Sequence, residues 1–334
     1  MELLNSSHAG FNGSDLSSAF TQQVLPPLYL LTCAVGLVLN GGAACVFFRV
    51  PTDSALVVFL KNMLVADLLM LTTFPLRLVA QVGVAGWRLH VVMCRYTAVL
   101  FYSSMYVGMV FMGLISLERY AAVVRASGGG VLRRLRGAGP ARGLALLVWL
   151  LLLLCVLPNA VLTSRPARRE TSRRCMQLKS ALGVQWHRVS TLLCVALFWL
   201  TLLLLAFCYA SIARQVRRSS RRVRRSAAAA ACRRSHRSIF SLLAVFLVCF
   251  VPYHVCRVPY TLSQMPWSRF SPGSRLLLFQ AKEATLFLSA LNVCLDPVVY
   301  FLMCTTFRDS LLSRLATGGR RRAHGQSLGN MARR

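Results

Sequence analysis

The sequence predicts an all-α membrane protein, a seven-transmembrane helix bundle with a short amphipathic eighth helix. Three observations carry that expectation. Of the 334 residues, 56% are hydrophobic and only 14% are charged, and the mean hydropathy is +0.57. A soluble domain carries ~25% charged residues and could not hide so much apolar surface. The apolar residues are also gathered into seven runs of membrane-spanning length.

The runs cover about 24–48, 56–80, 91–124, 143–163, 189–214, 238–262 and 279–303. Each is predicted as a helix, because only a helix satisfies its own backbone polar groups in lipid over such a stretch. A further short helix is expected over 305–316. The chain then divides into a tail 1–23, a membrane domain 24–303, and a cytoplasmic helix with a basic tail 304–334. Residues 1–23 are polar and hold no apolar core of a signal peptide, so the first span is expected to direct insertion itself.

There are 39 Lys and Arg against 9 Asp and Glu, a net charge of +30. In a soluble protein this balance would suggest nucleic acid. Here the basic residues punctuate apolar runs, and their natural role is to set topology; no nucleic-acid partner is expected. With the N-terminus outside, the inner segments carry 23 basic residues and the outer ones 11. That bias favours an outer N-terminus and an inner C-terminus. The sequons Asn5-Ser6-Ser7 and Asn12-Gly13-Ser14 then fall outside, which makes Asn5 and Asn12 glycosylation sites. The outer stretch 164–188 is strongly basic, with Arg165, Arg168, Arg169, Arg173, Arg174, Lys179 and Arg188 against Glu170. An electrostatic funnel for an anion and a tolerated translocated loop explain it equally well.

Of twelve cysteines, Cys94 and Cys175 alone are placed to meet on the outer side, where a disulfide would pin the second outer loop to the bundle. No C-x-x-C pair occurs, and no metal site is expected among the cysteines. The histidines are scattered, and no H-x-x-x-H, G-x-S-x-G or Walker loop is present, so an enzyme is not expected.

Ionisable groups inside spans are costly and are usually paired or functional. Asn40, Asp67, Asn292 and Asp296 lie on three predicted spans, as a structural hydrogen-bond cluster, a water network or a site for a sodium ion near Asp67. No other cofactor is expected. Glu118-Arg119-Tyr120 ends the third span on the inner side, with a carboxylate able to hold and release the guanidinium. Pro252 and Pro297 remove backbone hydrogen bonds within the sixth and seventh spans and make hinges there, and Tyr300 follows the second.

Taken together, Asn40, Leu64 to Asp67, Cys94, Glu118-Arg119-Tyr120, Trp149, Cys175, Pro252 and Asp296 to Tyr300 resemble the rhodopsin-like G-protein-coupled receptors in order and spacing. Glu118 stands where that family usually has Asp. A closer resemblance rests on Phe59 to Asn62, Leu157-Pro158-Asn159, Trp186-His187, Phe250 to His254, Arg257 to Gln264, Lys282-Glu283 and Asn292 to Pro297. These look like the metabotropic purinergic (nucleotide) receptors, in the branch that answers ADP or UDP-sugars, over roughly residues 20–310.

The resemblance implies a plasma-membrane receptor for an extracellular nucleotide or nucleotide sugar such as UDP-glucose, UDP or ADP. It also implies an inhibitory heterotrimeric G protein as partner, which lowers cyclic AMP. On the sixth span His254, Arg257 and Tyr260-Thr261 recur at helical spacing above Pro252, so they share one face. An Arg fork at Arg257 and a point charge at Lys282, a few Å apart, would make a clamp for a diphosphate. Lys179, His187 and Gln264 could add polar contacts, and Tyr102 and Tyr106 offer rings for a base, with Asn159 beside them. By resemblance these positions form the family's nucleotide pocket.

Three departures qualify the ligand. The family usually has a second disulfide from the tail to the third outer loop, yet residues 1–32 and 263–282 hold no Cys. Thr191 stands where the family tends to have Asn. The inner stretches Ser127 to Gly143 and Arg214 to Arg237 are Arg-rich and suit contact with anionic membrane lipid. A lysophosphatidic acid receptor of the same fold is the alternative, since that lipid also presents a phosphate. An organic-anion transporter is a weaker one, because no internal repeat is visible.

Overall fold

The computed structural model describes residues 20–49, 51–82, 86–124, 137–167, 175–222, 227–263 and 268–313, with only the backbone over 219–222 and 227–235. Within these residues seven helices are long and apolar enough to cross a membrane. They run Phe20–Phe47, Ala55–Gln81, Trp87–Val123, Ala138–Val161, Ala181–Arg218, His236–Ser263 and Pro272–Met303, and are referred to as spans one to seven. A short helix over 305–313 follows, and no strand occurs among the described residues.

Several spans begin earlier than hydropathy predicts. Span five starts at Ala181 rather than 189, and span seven at Pro272 rather than 279. Local capping sets these starts. The Ser271 hydroxyl accepts from the Ser274 N–H at 3.2 Å, with Pro272 in the first helical position. Ser180 accepts from the Gly183 N–H at 3.0 Å. In consequence Lys282 and Glu283, expected at the very start of span seven, lie about three turns inside it. Trp186, His187 and Arg188 likewise sit within span five rather than at its opening or in the loop.

Spans two and three form the middle of the bundle, with 67% of their apolar windows buried, against 28% in spans four and five. The latter pair turn Leu146, Leu151, Leu154, Leu192, Leu200 and Leu203 outward. Such a surface is unsuited to water and is matched by lipid. Spans one, two and seven meet closely at Gly36, where a Cβ would lie 2.7 Å from Leu71 Cδ2 and 3.1 Å from Val293 Cγ2. Beside it the Asn40 amide donates to the Val293 carbonyl at 2.6 Å. Trp149 of span four is tied to span two by its indole N–H on Asn62 Oδ1 at 2.9 Å.

Pro75, Pro252, Pro259 and Pro297 lie inside helices. Span seven is also interrupted at Leu291, and just before the break Ser289 donates to the Cys249 carbonyl of span six at 2.8 Å. On the outer side Cys94 and Cys175 form a disulfide. The loop ends are laced together by Arg165 N–H to Leu178 O at 3.0 Å and Ser180 N–H to Leu162 O at 2.9 Å. Arg95 adds a bond to the Arg165 carbonyl at 2.8 Å. On the inner side Phe307 of the short helix stacks on Phe47 at 4.7 Å, which anchors that helix against spans one and seven.

Candidate functional site

Arg257 points into the bundle from span six. Its guanidinium donates to the Tyr106 hydroxyl of span three at 3.0 Å and to Thr191 Oγ1 of span five at 3.1 Å. The Tyr102 and Tyr253 rings lie 5.4 Å and 5.6 Å from it, within cation–π range. Among the described residues no carboxylate pairs with Arg257. Its positive charge is therefore met by neutral acceptors and aromatic faces alone.

Lys282 has a different setting. It pairs with the neighbouring Glu283 carboxylate and lies 5.2 Å from the Tyr260 ring and 5.3 Å from the Phe279 ring. The other oxygen of Glu283 receives Arg77 of span two at 2.5 Å. Arg77 in turn stands 4.7 Å from the Tyr29 ring and 5.7 Å from the Phe101 ring. Of the two cations named from the sequence, Lys282 is thus paired within its own helix, whereas among the described residues Arg257 is not. Lys282 carries its own counter-ion in the carboxylate of the adjacent Glu283 on the same helix. Two cages result, one around Arg257 and one around Lys282, Glu283 and Arg77. They adjoin through Phe101 and Tyr102, whose rings meet edge to face at 5.6 Å.

The remaining expected residues are dispersed. Tyr106 and His254 are almost fully buried, and their polar atoms engage each other at 3.0 Å. Asn159 is buried where spans four and five meet, and donates to Ser190 at 3.1 Å. Lys179, expected in a basic outer loop, is buried and turned inward, donating to Asn159 Oδ1 and Thr163 Oγ1 at 3.3 Å each. Burial pushes its ammonium down to about 8. His187 is half-buried on span five, one turn from Thr191. Gln264, Arg168, Arg169, Arg173 and Arg174 lie outside the described residues, as do Asn5 and Asn12. The sequence reading missed Arg77, gave Thr191 only as a departure from the family, and left Glu283 without a role. Arg77 carried a usable signal, since an ionisable residue within an apolar run is seldom idle.

On the inner side Glu118 Oε2 lies 3.6 Å from Arg119 Nε. Arg119 also donates to the Met303 carbonyl at 2.9 Å, and Ser238 of span six donates to the Leu302 carbonyl at 3.1 Å. These carbonyls end span seven, where a helix leaves acceptors without intrahelical partners. At mid-bundle the Tyr300 hydroxyl donates to Asp67 at 2.5 Å, and Asn292 donates to Asp296 at 3.3 Å. Gly108 of span three leaves room there: a Cβ on it would meet nothing nearer than Asn292 Nδ2 at 4.0 Å.

Comparison with known proteins agrees with this arrangement. Residues 40–300 match the family described as 7 transmembrane receptor (rhodopsin family). The chain is 41% identical to purinoceptor 14 of Bos taurus, over 91% of this chain and 89% of that protein. It is 39% identical to G-protein coupled receptor 87 of Mus musculus, over 90% and 82%. It is 34% identical to purinoceptor 13 of Homo sapiens, over 90% and 85%. The chain is a multi-pass plasma-membrane receptor rather than an enzyme, and belongs to the rhodopsin family of seven-transmembrane receptors, in its purinoceptor branch.

Proposed function

We propose that the chain is a receptor for an extracellular nucleotide or nucleotide sugar, and that it signals through an inhibitory G protein. The observation that carries this reading is Arg257, a partly buried guanidinium set among Tyr106, Thr191, Tyr102 and Tyr253, with no paired carboxylate among the described residues. A desolvated cation without a counter-ion favours an anionic guest, and a guanidinium fork fits a phosphate with two parallel charge-assisted bonds. Lys282 and Arg77 supply a second positive region, reduced by Glu283. Tyr102 and Tyr260 provide ring faces for a base or sugar, while Lys179, His187 and Asn159 complete the proposed surroundings. The names of the purinoceptor relatives support the same class of ligand.

Binding of a phosphate at Arg257 and Lys282 draws spans six and seven together on the outer side. Span six pivots at Pro252, its inner end departs from the Leu302 carbonyl, and Arg119 becomes available to a G protein. The Arg-rich inner segments meet anionic lipid at the membrane surface. A sodium ion is proposed beside Asp67 and Asp296. Asp296 Oδ1, Asn292 Oδ1 and Asn40 Oδ1 are buried acceptors without hydrogen-bond partners, which is the donor set a small hard cation takes.

The test is a panel of ADP, UDP, UDP-glucose and lysophosphatidic acid on cells expressing the receptor, read as suppression of cyclic AMP. A response to one of the nucleotides that is abolished by Arg257→Ala at normal surface expression supports the reading. A response to lysophosphatidic acid alone replaces it with the lipid alternative. Flux of labelled nucleotide into liposomes holding the protein would overturn both.

A further inference from the structure

Beneath Arg257 a chain of hydrogen bonds has a direction that can be worked out atom by atom. His254 Nδ1 lies 2.8 Å from the Phe250 carbonyl, which can only accept, so Nδ1 carries the hydrogen. In the neutral ring Nε2 is then an acceptor, and the Tyr106 hydroxyl, 3.0 Å away, donates to it. The Tyr106 oxygen in turn receives Arg257 Nη1 at 3.0 Å. A protonated ring would set a second buried cation against the phenol that already takes the guanidinium. The sequence Arg257 to Tyr106 to His254 to Phe250 O therefore runs donor to acceptor throughout, and such chains polarise each link in the same sense.

The packing holds this line in place. The His254 ring stacks on Phe198 of span five at 3.9 Å with an interplanar angle of 2°, and Phe198 stacks on Phe246 at 5.6 Å. Tyr106 and His254 are 1% and 2% exposed, so water does not compete for their bonds. The line ends on the carbonyl two residues before Pro252, on the segment whose helix is already short of one backbone bond.

We propose that Tyr106 and His254 act as positioning residues that report the state of Arg257 to the kinked segment of span six. This rests on the reading of Arg257 as the phosphate-binding group. A phosphate that pulls the guanidinium away from the phenol takes the first donor from the line, weakens the bond to His254 and loosens span six from span three. Affinity is set at Arg257, and the conformational response is set below it.

The experiment compares Tyr106→Phe, His254→Phe and the double variant in the full-length receptor. Both substitutions keep an aromatic ring in place and remove its hydrogen-bonding atoms, the ring at 254 growing by one atom. Ligand-independent cyclic AMP suppression is measured first, then UDP-glucose binding and maximal response, each at matched surface expression. Each single variant is expected to raise basal signalling at least twofold, and the double variant to match the singles, because all three cut one line. Additive basal effects, or no basal change, would overturn the relay. The basal arm uses no ligand, so it stands whether or not Arg257 binds phosphate. If the reading of Arg257 fails instead, Arg257→Ala keeps its UDP-glucose response while the basal pattern persists. A fall in surface expression and melting temperature that adds across the variants, without a basal rise, would indicate packing alone and would also overturn it.

Discussion

Arg119 and the Met303 carbonyl are joined by a 2.9 Å hydrogen bond that ties the inner end of span three to the end of span seven. Ser238 makes the matching bond from span six to Leu302. The described part of span six below Pro252 carries no acidic residue to hold Arg119, and the carbonyls at the end of span seven take that place.

Ser238→Ala should therefore raise basal signalling. A neutral hydrogen bond contributes ~1 kcal/mol, which corresponds to roughly fivefold in the ratio of conformers. Cyclic AMP measured without agonist checks this. Unchanged basal output would show that the Ser238 contact does not restrain span six.

Charge at position 282 can be separated from shape. Lys282→Gln should weaken nucleotide agonists moderately, since Arg77 remains beside Glu283. Lys282→Glu should weaken them much further, by placing a second carboxylate next to Glu283. Dose-response curves for both variants against wild type decide it. Equal losses would mean that the ammonium charge is not what the agonist uses.

Removal of Glu283 should have opposite effects on stability and on affinity. Glu283→Gln leaves Arg77 and Lys282 with no carboxylate between them, and breaking a buried ion pair costs about 3–5 kcal/mol. The side chains are 12–14% exposed, so solvent offers little relief. The expected result is a lower melting temperature in detergent that an anionic ligand largely restores. A variant as stable as wild type would show that the two cations tolerate each other.

Lys179 gives a pH prediction. Burial lowers its folded-state value to about 8 from the ordinary 10.5, so the ammonium persists below that value and is lost as pH rises through it. Between pH 7 and 9 the ratio of charged to neutral form changes about a hundredfold. The diphosphate of UDP-glucose keeps its charge across this window, its uracil N3–H ionising only toward the upper end, and affinity should fall there. Lys179→Gln should have a lower affinity at pH 7 and a flatter profile. A profile that is unchanged in Lys179→Gln would assign the pH dependence to another group.

The seven spans and the disulfide were legible because hydropathy and cysteine placement are one-dimensional signals. The helix starts at Ala181 and Pro272 were not, because they depend on caps from Ser180 and Ser271 lying outside the apolar runs. At the proposed ligand site Arg257, Lys282 and Tyr102 could be named in advance. Their partners could not: Arg77 and Glu283 are 206 residues apart, and nothing local to either records the pairing. The same limit applies to Tyr106 and His254, which were grouped with the proposed ligand residues in sequence yet spend polar atoms on each other.

The edge-to-face wall of Phe101 and Tyr102 has a consequence for ligand length. Each ring serves a different guanidinium, Arg77 on one side and Arg257 on the other. A guest with a single phosphate satisfies one compartment and leaves its neighbour as it was. One whose charges are spaced along a chain is expected, if both guanidinium groups take part as proposed, to reach both sides of the two rings. On the proposed reading of the site, the spacing of charge along a ligand is therefore expected to matter as well as its total.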